Sequence, residues 1–308
     1  MFKLIFSLIL VFTIDASAAK KVPCKTLLQN TVQVGLSNYQ LIGGLTLKYY
    51  LYKIESRIRK DAANNSQLIL LPELTSLDLV DFTDEVNIVS QLDKIAKFAT
   101  PKIVRHIKNL AKELNVYIIL GGTPRSVDNK IYNSAVMAMP NGHVEYQEKI
   151  YLTPAEKSWS WTGGDKLKVF STPLGKIVVL ICYDSEFPSL SALLSAEMPD
   201  IILVPSMTDA PGFTRVRWSA QARAIEHKAF VIMNGVYSTD IPGWDLSAQA
   251  AVLSPADSQF EGIMAEGENY LTYILPLEQL RESRQLNEPY PAADETSLNK
   301  SVQVERVT

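Results

Sequence analysis

Short apolar runs that are typical of buried β-strands alternate along this chain with longer segments that have the spacing of amphipathic helices. In the first half, the predicted elements are strands at Thr31 to Ser37, Leu68 to Leu71 and Val116 to Gly121, with helices at Thr46 to Ala62 and Lys102 to Leu114. The second half repeats the order, with strands at Ile177 to Ile181, Ile201 to Val204 and Phe230 to Asn234 and helices near Leu190 to Glu197 and Val216 to His227. This alternation predicts an α/β fold.

Antiparallel strands are predicted in both halves. Tyr132 to Met139 and His143 to Glu148 are joined by Pro140-Asn-Gly142, a link too short for parallel strands, so they are predicted to form a hairpin. A second antiparallel stretch is predicted at Ala250 to Ser254, Gly262 to Ala265 and Tyr270 to Ile274. Two mixed sheets packed face to face with helices outside would form a four-layer α-β-β-α sandwich.

The composition supports one large globular domain. The chain has 308 residues, of which 47% are hydrophobic, so it can bury a sizeable core. Its net charge is -3 and it contains no long basic run. Nucleic acid and an anionic membrane surface are therefore not expected partners.

The two ends of the chain differ from its centre. A basic start at Lys3, an apolar run from Leu4 to Ile14 and the small residues Ala16-Ser-Ala18 predict a cleaved signal peptide at residues 1–18. The apolar run is far shorter than the roughly 20 residues that span a bilayer, so no membrane span is expected after cleavage. We expect an exported protein, periplasmic or secreted, with a flexible mature N-terminus at residues 19–30.

The principal domain is predicted at residues 31–283. Residues 284–308 are predicted to be a polar tail that is disordered or docks on a partner subunit.

Three predicted strands end in groups that can do chemistry. Glu73 ends the Leu68 strand, Lys149 follows the hairpin, and Cys182 follows the Ile177 strand. Catalytic groups commonly gather at the loops that follow such strands. A thiol is mostly protonated near neutral pH, so a nucleophilic cysteine needs a neighbouring base. Glu73 is the better candidate because none of the histidines ends a strand: His106 lies within a helix, His143 beside a turn and His227 near a helix end.

Neither a metal nor a cofactor is expected. The cysteines, Cys24 and Cys182, lack the spacing of a zinc site, and no two histidines are four residues apart. A disulfide between the two is not expected, because Cys24 lies in the flexible N-terminus; it is incidental or pairs between chains.

The ordered set of motifs around these residues resembles the nitrilase superfamily of carbon-nitrogen hydrolases, which use a Glu-Lys-Cys triad. The resemblance extends from Thr31 to Pro276. The matching motifs are Leu71-Pro-Glu73, Glu148-Lys149, Tyr151-Leu-Thr-Pro-Ala-Glu156, Gly163-Gly164, Ile181-Cys-Tyr-Asp184, Phe187-Pro188, Gln221-Ala-Arg-Ala-Ile-Glu226 and Asn234-Gly235. Tyr183 and Asp184 after the cysteine resemble the amidase-type members, since true nitrilases usually have Trp-Glu there.

The resemblance implies a role for each matching position. Cys182 would be the nucleophile, Glu73 the general base and acid, and Lys149 the oxyanion stabiliser together with the backbone N–H of Tyr183. Glu156 would brace Lys149 and orient the substrate. The implied reaction is hydrolysis of a linear, non-peptide amide through a Cys182 thioester.

Other expectations concern the pocket, the hairpin and the assembly. Tyr183, Ser206 and Met207 are expected to shape the acyl pocket, and Tyr132-Asn-Ser134 is interpreted as hairpin packing rather than catalysis. A homodimer is implied because family members usually associate through helical faces. Two alternatives stay open: acyl transfer to an amine, and a catalytically silent scaffold or binding protein with the same fold.

Overall fold

The computed structural model describes residues 28–84, 88–239, 241–267 and 269–297. The predicted signal peptide at residues 1–18 and Cys24 lie outside these ranges. The strands are β1 (Thr31–Ser37), β2 (Tyr39–Gln40), β3 (Leu68–Glu73), β4 (Tyr117–Val127), β5 (Lys130–Ala138), β6 (Val144–Glu148), β7 (Val169–Thr172), β8 (Gly175–Val179), β9 (Ile201–Met207), β10 (Phe230–Tyr237), β11 (Ala251–Ala256), β12 (Glu261–Glu266) and β13 (Tyr270–Pro276). The α-helices are α1 (Leu47–Ala63), α2 (Ile88–Lys94), α3 (Thr100–Leu114), α4 (Pro154–Ser158), α5 (Pro188–Leu194), α6 (Ala210–His227), α7 (Leu277–Ser283) and α8 (Pro291–Ser297). Short 3₁₀ turns occupy Thr75–Leu79 and Cys182–Glu186.

The strands form two mixed sheets, which confirms the predicted fold class. One sheet has the order β13-β1-β3-β4-β5-β6, with β1, β3 and β4 parallel and the other neighbours antiparallel. The other has the order β12-β11-β10-β9-β8-β7, with parallel pairing across β8, β9 and β10, and with β2 added beside β10. The hairpin of β5 and β6 is present, with Ala138 opposite Val144.

The buried side chains of β3 show how the layers are built. Leu68 and Leu70 belong to the core cluster between the sheets, whereas Ile69 and Leu71 belong to the cluster beneath the helices α1 and α3. This alternation is the period of two expected of a strand that is covered on both faces. The result is a four-layer arrangement of helices, sheet, sheet and helices.

The two sheets are in close contact at Gly121 of β4 and Pro205 of β9. A Cβ atom at Gly121 of β4 would lie 2.2 Å from the Cβ of Pro205 in β9 and 2.5 Å from the carbonyl oxygen of Leu71. Only glycine fits there without moving backbone. This contact brings the ends of β3 and β9 together and fixes the distance between groups that come from different sheets.

The helix predicted at Lys102 to Leu114 is longer in the structure. Helical backbone runs from Ile88 to Leu114, with a π-helical turn at Ile95–Ala99 between α2 and α3. Pro101 has no backbone N–H and is typical of a helix start, so the sequence indicated a new helix there. The wider turn just before Pro101 accommodates the proline inside a continuous helix.

The residues after Arg284 differ from the predicted polar tail as far as the structure describes them. Tyr290 is buried, and its hydroxyl donates to the carbonyl oxygen of His227 at 3.0 Å. Ala292 in α8 is also buried, and the Arg284 guanidinium donates to the carbonyl oxygen of Lys228 at 3.0 Å. The polar average composition concealed these buried residues and hydrogen bonds, each of which is made within this chain. Within the described ranges, no helix is both long enough and apolar enough to cross a bilayer.

Candidate active site

The groups predicted to act together come from the ends of strands in both sheets. Glu73 is the last residue of β3 and Lys149 directly follows β6, so both belong to the first sheet. Cys182 begins a 3₁₀ turn shortly after β8, in the second sheet, and Met207 ends β9 beside it. The site therefore forms where the two sheets meet, at the carboxyl ends of parallel strands.

The Lys149 ammonium lies between two carboxylates. Its Nζ is 2.8 Å from Glu73 Oε1 and 3.0 Å from Glu156 Oε2, and all three side chains are almost completely buried. A buried charge needs a partner that replaces its hydration, and here one cation meets two anions. The structure thus brings together three of the four predicted catalytic residues through direct ion pairs.

Asn133 joins the same cluster, which corrects its interpretation as hairpin packing. It is fully buried on β5, and its Nδ2 donates to Glu73 Oε1 at 2.8 Å and to Glu156 Oε1 at 2.7 Å. An amide that donates to two carboxylates holds them at a fixed separation without adding charge. The sequence carried no signal for this role, because β4 lies between β5 and β3 in the sheet and the contact forms only in the folded chain.

Glu156 is held in place by the start of α4. Thr153 caps this helix: its hydroxyl accepts from the Glu156 N–H, while the Glu156 carboxylate accepts from the Thr153 N–H at 2.8 Å. This reciprocal pair is a capping box, and the motif is readable from the sequence. One Glu156 oxygen is thus committed to the helix start and the other reaches Asn133, which fixes the rotamer that faces Lys149.

The surroundings shift the pKa values of the two buried glutamates in opposite directions. Burial raises the pKa of Glu73, and the negative charge of Glu156 adds to this effect, while Lys149 opposes it. Burial also acts on Glu156, but Lys149 and the hydrogen bonds from Thr153 and Asn133 hold the pKa of Glu156 below its usual value. Two carboxyl groups whose pKa values are pushed apart are suited to different roles, one exchanging a proton and one staying ionised.

Lys149 stays charged in this arrangement. Burial alone would lower the pKa of Lys149, but the negative charges of Glu73 and Glu156 raise it well above its usual value. The site therefore keeps a fixed positive charge next to the thiol.

Cys182 has a backbone conformation that is unusual for a residue with a side chain. Its φ is +48°, in the left-handed region, and the Ser185 hydroxyl donates to its carbonyl oxygen at 2.7 Å. Such strained residues cluster at functional sites. The thiol is free and buried, and its Sγ lies 3.9 Å from the carbonyl oxygen of Met207. Burial raises the pKa of Cys182, as does the nearby Glu73, so the resting thiol is protonated and needs a base.

Asp184 links the cysteine turn to the loop that carries Lys149. Its carboxylate accepts from the backbone N–H groups of Ile150 at 3.1 Å and Tyr151 at 2.8 Å. Burial raises the pKa of Asp184 to about 7, although these hydrogen bonds oppose the rise. Asp184 was part of a quoted motif but received no role from the sequence. The structure shows that it ties the second sheet's turn to the first sheet's lysine loop.

A cavity of about 280 Å³ opens onto Glu73, Lys149 and Glu156. Met207 lines it as predicted, and its N–H also donates to Glu73 Oε2 at 2.8 Å. Tyr183 and Ser206 do not line this cavity: the Tyr183 ring packs edge-on against Phe187, and the Ser206 hydroxyl faces the Val204 carbonyl. The remaining lining residues, none of which was predicted to line the pocket, are Leu74, Thr153, Ala155, Trp159, Gly243, Trp244 and Leu246.

Replacing Asn133 by leucine is expected to lower the free energy of unfolding by about 2 to 4 kcal/mol. Two buried carboxylates would each lose a donor, and a hydrogen bond to a charged group contributes roughly 1.5 to 3 kcal/mol. Urea unfolding followed by circular dichroism would measure the change. The matched control is Asn109→Leu on the exposed face of α3, which should change stability by less than about 0.5 kcal/mol. Equal effects of the two substitutions would contradict a bridging role for Asn133.

Among the residues that the structure describes, no group of three or more histidine, cysteine, aspartate or glutamate side chains could hold a metal ion. The buried carboxylates of Glu73 and Glu156 are instead paired with one ammonium, that of Lys149. This cluster of Glu73, Lys149 and Glu156 can exchange a proton at Glu73, keep Glu156 ionised and place a positive charge beside the thiol of Cys182.

Comparison with known proteins gives a consistent result. The family model described as carbon-nitrogen hydrolase matches residues 34–256. A probable hydrolase of Bacillus subtilis, YhcX, is 29% identical over 266 residues, which cover 82% of this chain and 52% of the relative. The omega-amidase NIT2 of Xenopus tropicalis is 24% identical over 242 residues, covering 74% of this chain and 83% of the relative. The chain thus spans about half the length of the Bacillus protein.

A solved structure agrees on the fold. Nit3 of Saccharomyces cerevisiae, a member of branch 10 of the nitrilase superfamily, superimposes with a TM-score of 0.70 at 21% identity. The match covers 84% of this chain and 94% of the yeast protein. At this identity, the likeness concerns the fold.

Proposed function

This chain belongs to the carbon-nitrogen hydrolase family, and we propose that it hydrolyses a linear, non-peptide amide through a thioester on Cys182. The observation that carries the proposal is the Lys149 ammonium, held 2.8 Å from Glu73 and 3.0 Å from Glu156 beside a buried thiol. The opposite pKa directions of the two glutamates support separate roles for them.

Acylation begins with the neutral thiol. Cys182 Sγ attacks the amide carbon while its proton passes to Glu73, so the thiolate forms only as the new bond forms. The raised pKa of Glu73 brings its affinity for a proton closer to that of the thiol than an exposed carboxylate would have. The protonated Glu73 then donates to the amide nitrogen, the carbon-nitrogen bond breaks, and ammonia or an amine leaves.

Charge develops on the substrate oxygen during both halves of the reaction. Lys149 supplies a fixed positive charge, and the N–H of Tyr183 lies in the first turn of the 3₁₀ segment that begins at Cys182. Amides in a first helical turn have no partner within the helix, so this N–H can donate to the oxyanion. Asn133 and Glu156 hold Lys149 and Glu73 in position.

Deacylation uses the same base. Glu73, ionised again after the amine leaves, takes a proton from water, and the oxygen of that water attacks the thioester carbon. The second tetrahedral intermediate collapses to the carboxylic acid, and the proton returns from Glu73 to the Cys182 sulfur. The sum is one amide and one water converted into one acid and one amine.

The test is release of ammonia from a panel of simple primary amides by the purified protein. We expect product from at least one amide, and a hydroxamate in place of the acid when hydroxylamine competes with water for the thioester. A protein that releases no ammonia from any of them, although it is folded, would refute the proposed hydrolysis.

We also propose that the protein forms a homodimer through the outer face of α6. A groove of about 620 Å³ lies between α6 and β12, and Trp218, Ile225 and Ile263 beside it are exposed. An apolar patch of this kind on a soluble domain commonly marks an interface. Trp218→Glu is expected to shift the protein from dimer to monomer in sedimentation velocity, whereas Tyr52→Glu, at an equally exposed aromatic of α1, should leave the dimer intact. A wild-type protein that is only monomeric at micromolar concentration would refute the proposal.

Export is the remaining proposal, and it rests on the basic, apolar and small-residue order of residues 1–18. The expected mature protein begins at Ala19. Mass spectrometry of protein recovered from the exported fraction would detect this product, and recovery of the uncleaved chain in the cytosol would contradict it.

A further inference from the structure

We propose that the acyl group of the substrate is small, uncharged and apolar, and that Trp159 and Trp244 select it. This inference rests on the proposed amide hydrolysis, because it names the substrate class of the same site. It follows from how polar and apolar residues divide the cavity of about 280 Å³.

Four of the lining residues are polar, and we call them the floor of the cavity: Glu73, Lys149, Glu156 and Thr153. Cys182 does not line the cavity, but its Sγ lies 3.9 Å from the carbonyl oxygen of Met207, which does. The roles proposed for Glu73, Lys149 and Cys182 place the reacting carbonyl at this floor. The other lining residues carry no charge, and most are apolar: Leu74, Ala155, Trp159, Met207, Gly243, Trp244 and Leu246. An acyl chain that extends from the floor would therefore contact aliphatic and aromatic surface.

An anionic acyl group would find no partner in this cavity. Lys149 is the one cation among the described lining residues, and both of its carboxylate neighbours, Glu73 and Glu156, lie within 3.0 Å. With both glutamates ionised, the three side chains carry a net charge of one negative unit. A second carboxylate on the substrate would be buried without a counter-charge and beside like charge, which is strongly unfavourable.

A cationic acyl group is disfavoured for a different reason. The carboxylate oxygens that could receive it already accept hydrogen bonds: Glu73 from Lys149, Asn133 and the Met207 N–H, and Glu156 from Thr153, Asn133 and Lys149. An added ammonium would have to compete for these oxygens after losing its water. Uncharged groups avoid both costs.

Trp159 and Trp244 form one aromatic surface of the cavity, which we call the wall, and neighbouring rings hold it in place without substrate. The rings of Trp159 and Trp244 lie 6.2 Å apart with an angle of 17° between their planes. Trp161 packs edge-on against Trp159 at 5.1 Å, and Phe82 packs edge-on against Trp244 at 4.9 Å. Each indole is thus supported from outside the cavity, so little side-chain entropy remains to be lost on binding.

The two tryptophans come from different segments of the chain, and one of them lies close to Glu156 in sequence. Trp159 is the residue at which α4 ends, three positions after Glu156 on the same short helix. Trp244 lies on the connection between β10 and β11, next to Gly243 in the lining. The cavity volume falls just below the range of drug-sized ligand sites, which limits the acyl group to a few carbons or one small ring.

The test compares kcat/KM of the wild-type protein for three amides of similar length. These are hexanamide, the anion glutaramate and the cation 5-aminopentanamide, scored by ammonia release. We expect hexanamide to exceed each charged amide by at least about 30-fold, since burial of an unpaired charge or polar group is heavily penalised. A preference for glutaramate or 5-aminopentanamide, or equal use of all three, would overturn the inference while leaving amide hydrolysis intact. No ammonia from these amides or from any in the wider panel would instead refute the proposed function.

Substitutions assign the preference to the two tryptophans. In Trp244→Ala, the ratio of kcat/KM for 3-phenylpropanamide to that for acetamide is expected to fall at least about tenfold, because the longer acyl group reaches the wall and the methyl group does not. Trp159→Leu should act in the same direction while retaining an apolar end to α4. Tyr52→Ala, at an exposed aromatic outside the cavity, is the control. An unchanged ratio in both tryptophan variants, with circular dichroism like that of the wild type, would overturn their assignment.

Discussion

Replacing Cys182 by alanine is expected to lower amide turnover by at least about 10⁴-fold while leaving the fold intact. Cys182 carries the one free thiol among the described residues, and removal of a covalent nucleophile commonly costs roughly 10⁴ to 10⁶-fold in kcat. Ammonia release from the preferred amide would measure the loss. The thermal midpoint should change little, because alanine is smaller than cysteine by one buried atom and neither residue relieves the φ of +48°.

The matched control for this prediction is Cys24→Ala, which removes the chain's other cysteine and should retain full turnover. The serine variant adds a second comparison. Cys182→Ser keeps the shape of the side chain, but a serine hydroxyl gives up its proton far less readily than a thiol and is a weaker nucleophile. We therefore expect this variant to be nearly as inactive as Cys182→Ala. Turnover within tenfold of wild type in Cys182→Ala would show that the reaction does not pass through this thiol.

The positions of Glu73 and Cys182 were predictable because each follows an apolar run of strand character, and that of Lys149 because it follows the second strand of the predicted hairpin. Strand ends are readable from short-range patterns, and parallel strands bring their carboxyl ends to one edge of a sheet. The two mixed sheets were predictable for the same reason, since the alternation of elements repeats in each half. The roles of the three residues came from the resemblance to a family, and they remain proposals.

The parts that were not predictable depend on contacts between distant segments. Asn133 sits in a hairpin whose local pattern indicates only packing. Its role is seen only in the folded chain, where its side chain reaches Glu73 at the end of β3 and Glu156 in α4. Trp159 and Trp244 are 85 residues apart and converge only in the folded chain. Ser206 was expected in the pocket as a loop residue after a strand that was predicted to end at Val204. The strand β9 instead extends to Met207, and alternation along it turns the Ser206 side chain away while Met207 faces the cavity.

Replacing Glu73 by glutamine is expected to lower kcat by about 10³-fold or more, with the fold retained. Glutamine keeps the size of the side chain and an oxygen that can accept from Lys149, but it cannot take the proton of Cys182 or return one to the amine. General acid-base catalysis alone contributes roughly 10² to 10⁴-fold, and here one residue serves both half-reactions. The control is Glu113→Gln on the exposed end of α3, which should retain full activity.

The same variant tests whether Glu73 activates the thiol before any substrate is chosen. Iodoacetamide labelling of Cys182, resolved from Cys24 by peptide mass, should slow at least about tenfold in Glu73→Gln, because burial keeps the thiol protonated when no base can accept its proton. In the wild type, the labelling rate should rise with pH as Glu73 ionises, and this rise should be displaced upward from the pH of an exposed glutamate. Equal labelling rates in the two proteins would show that Glu73 is not the base.

Stability against pH gives an independent measure of the same group. The pKa of Glu73 is raised in the folded protein, so folding favours its protonated form. Its contribution to stability is therefore fully present below the pKa of an exposed glutamate and is lost as pH rises through the raised value. Glutamine is uncharged throughout, so unfolding of Glu73→Gln should lack this decline, and the difference in unfolding free energy between variant and wild type should grow across that interval. A constant difference would mean that Glu73 ionises at the same pH in the folded protein as in the unfolded chain. Lys149 would then be paired with two carboxylates that are both ionised at neutral pH, and Glu73 would not have the raised pKa that suits a general base.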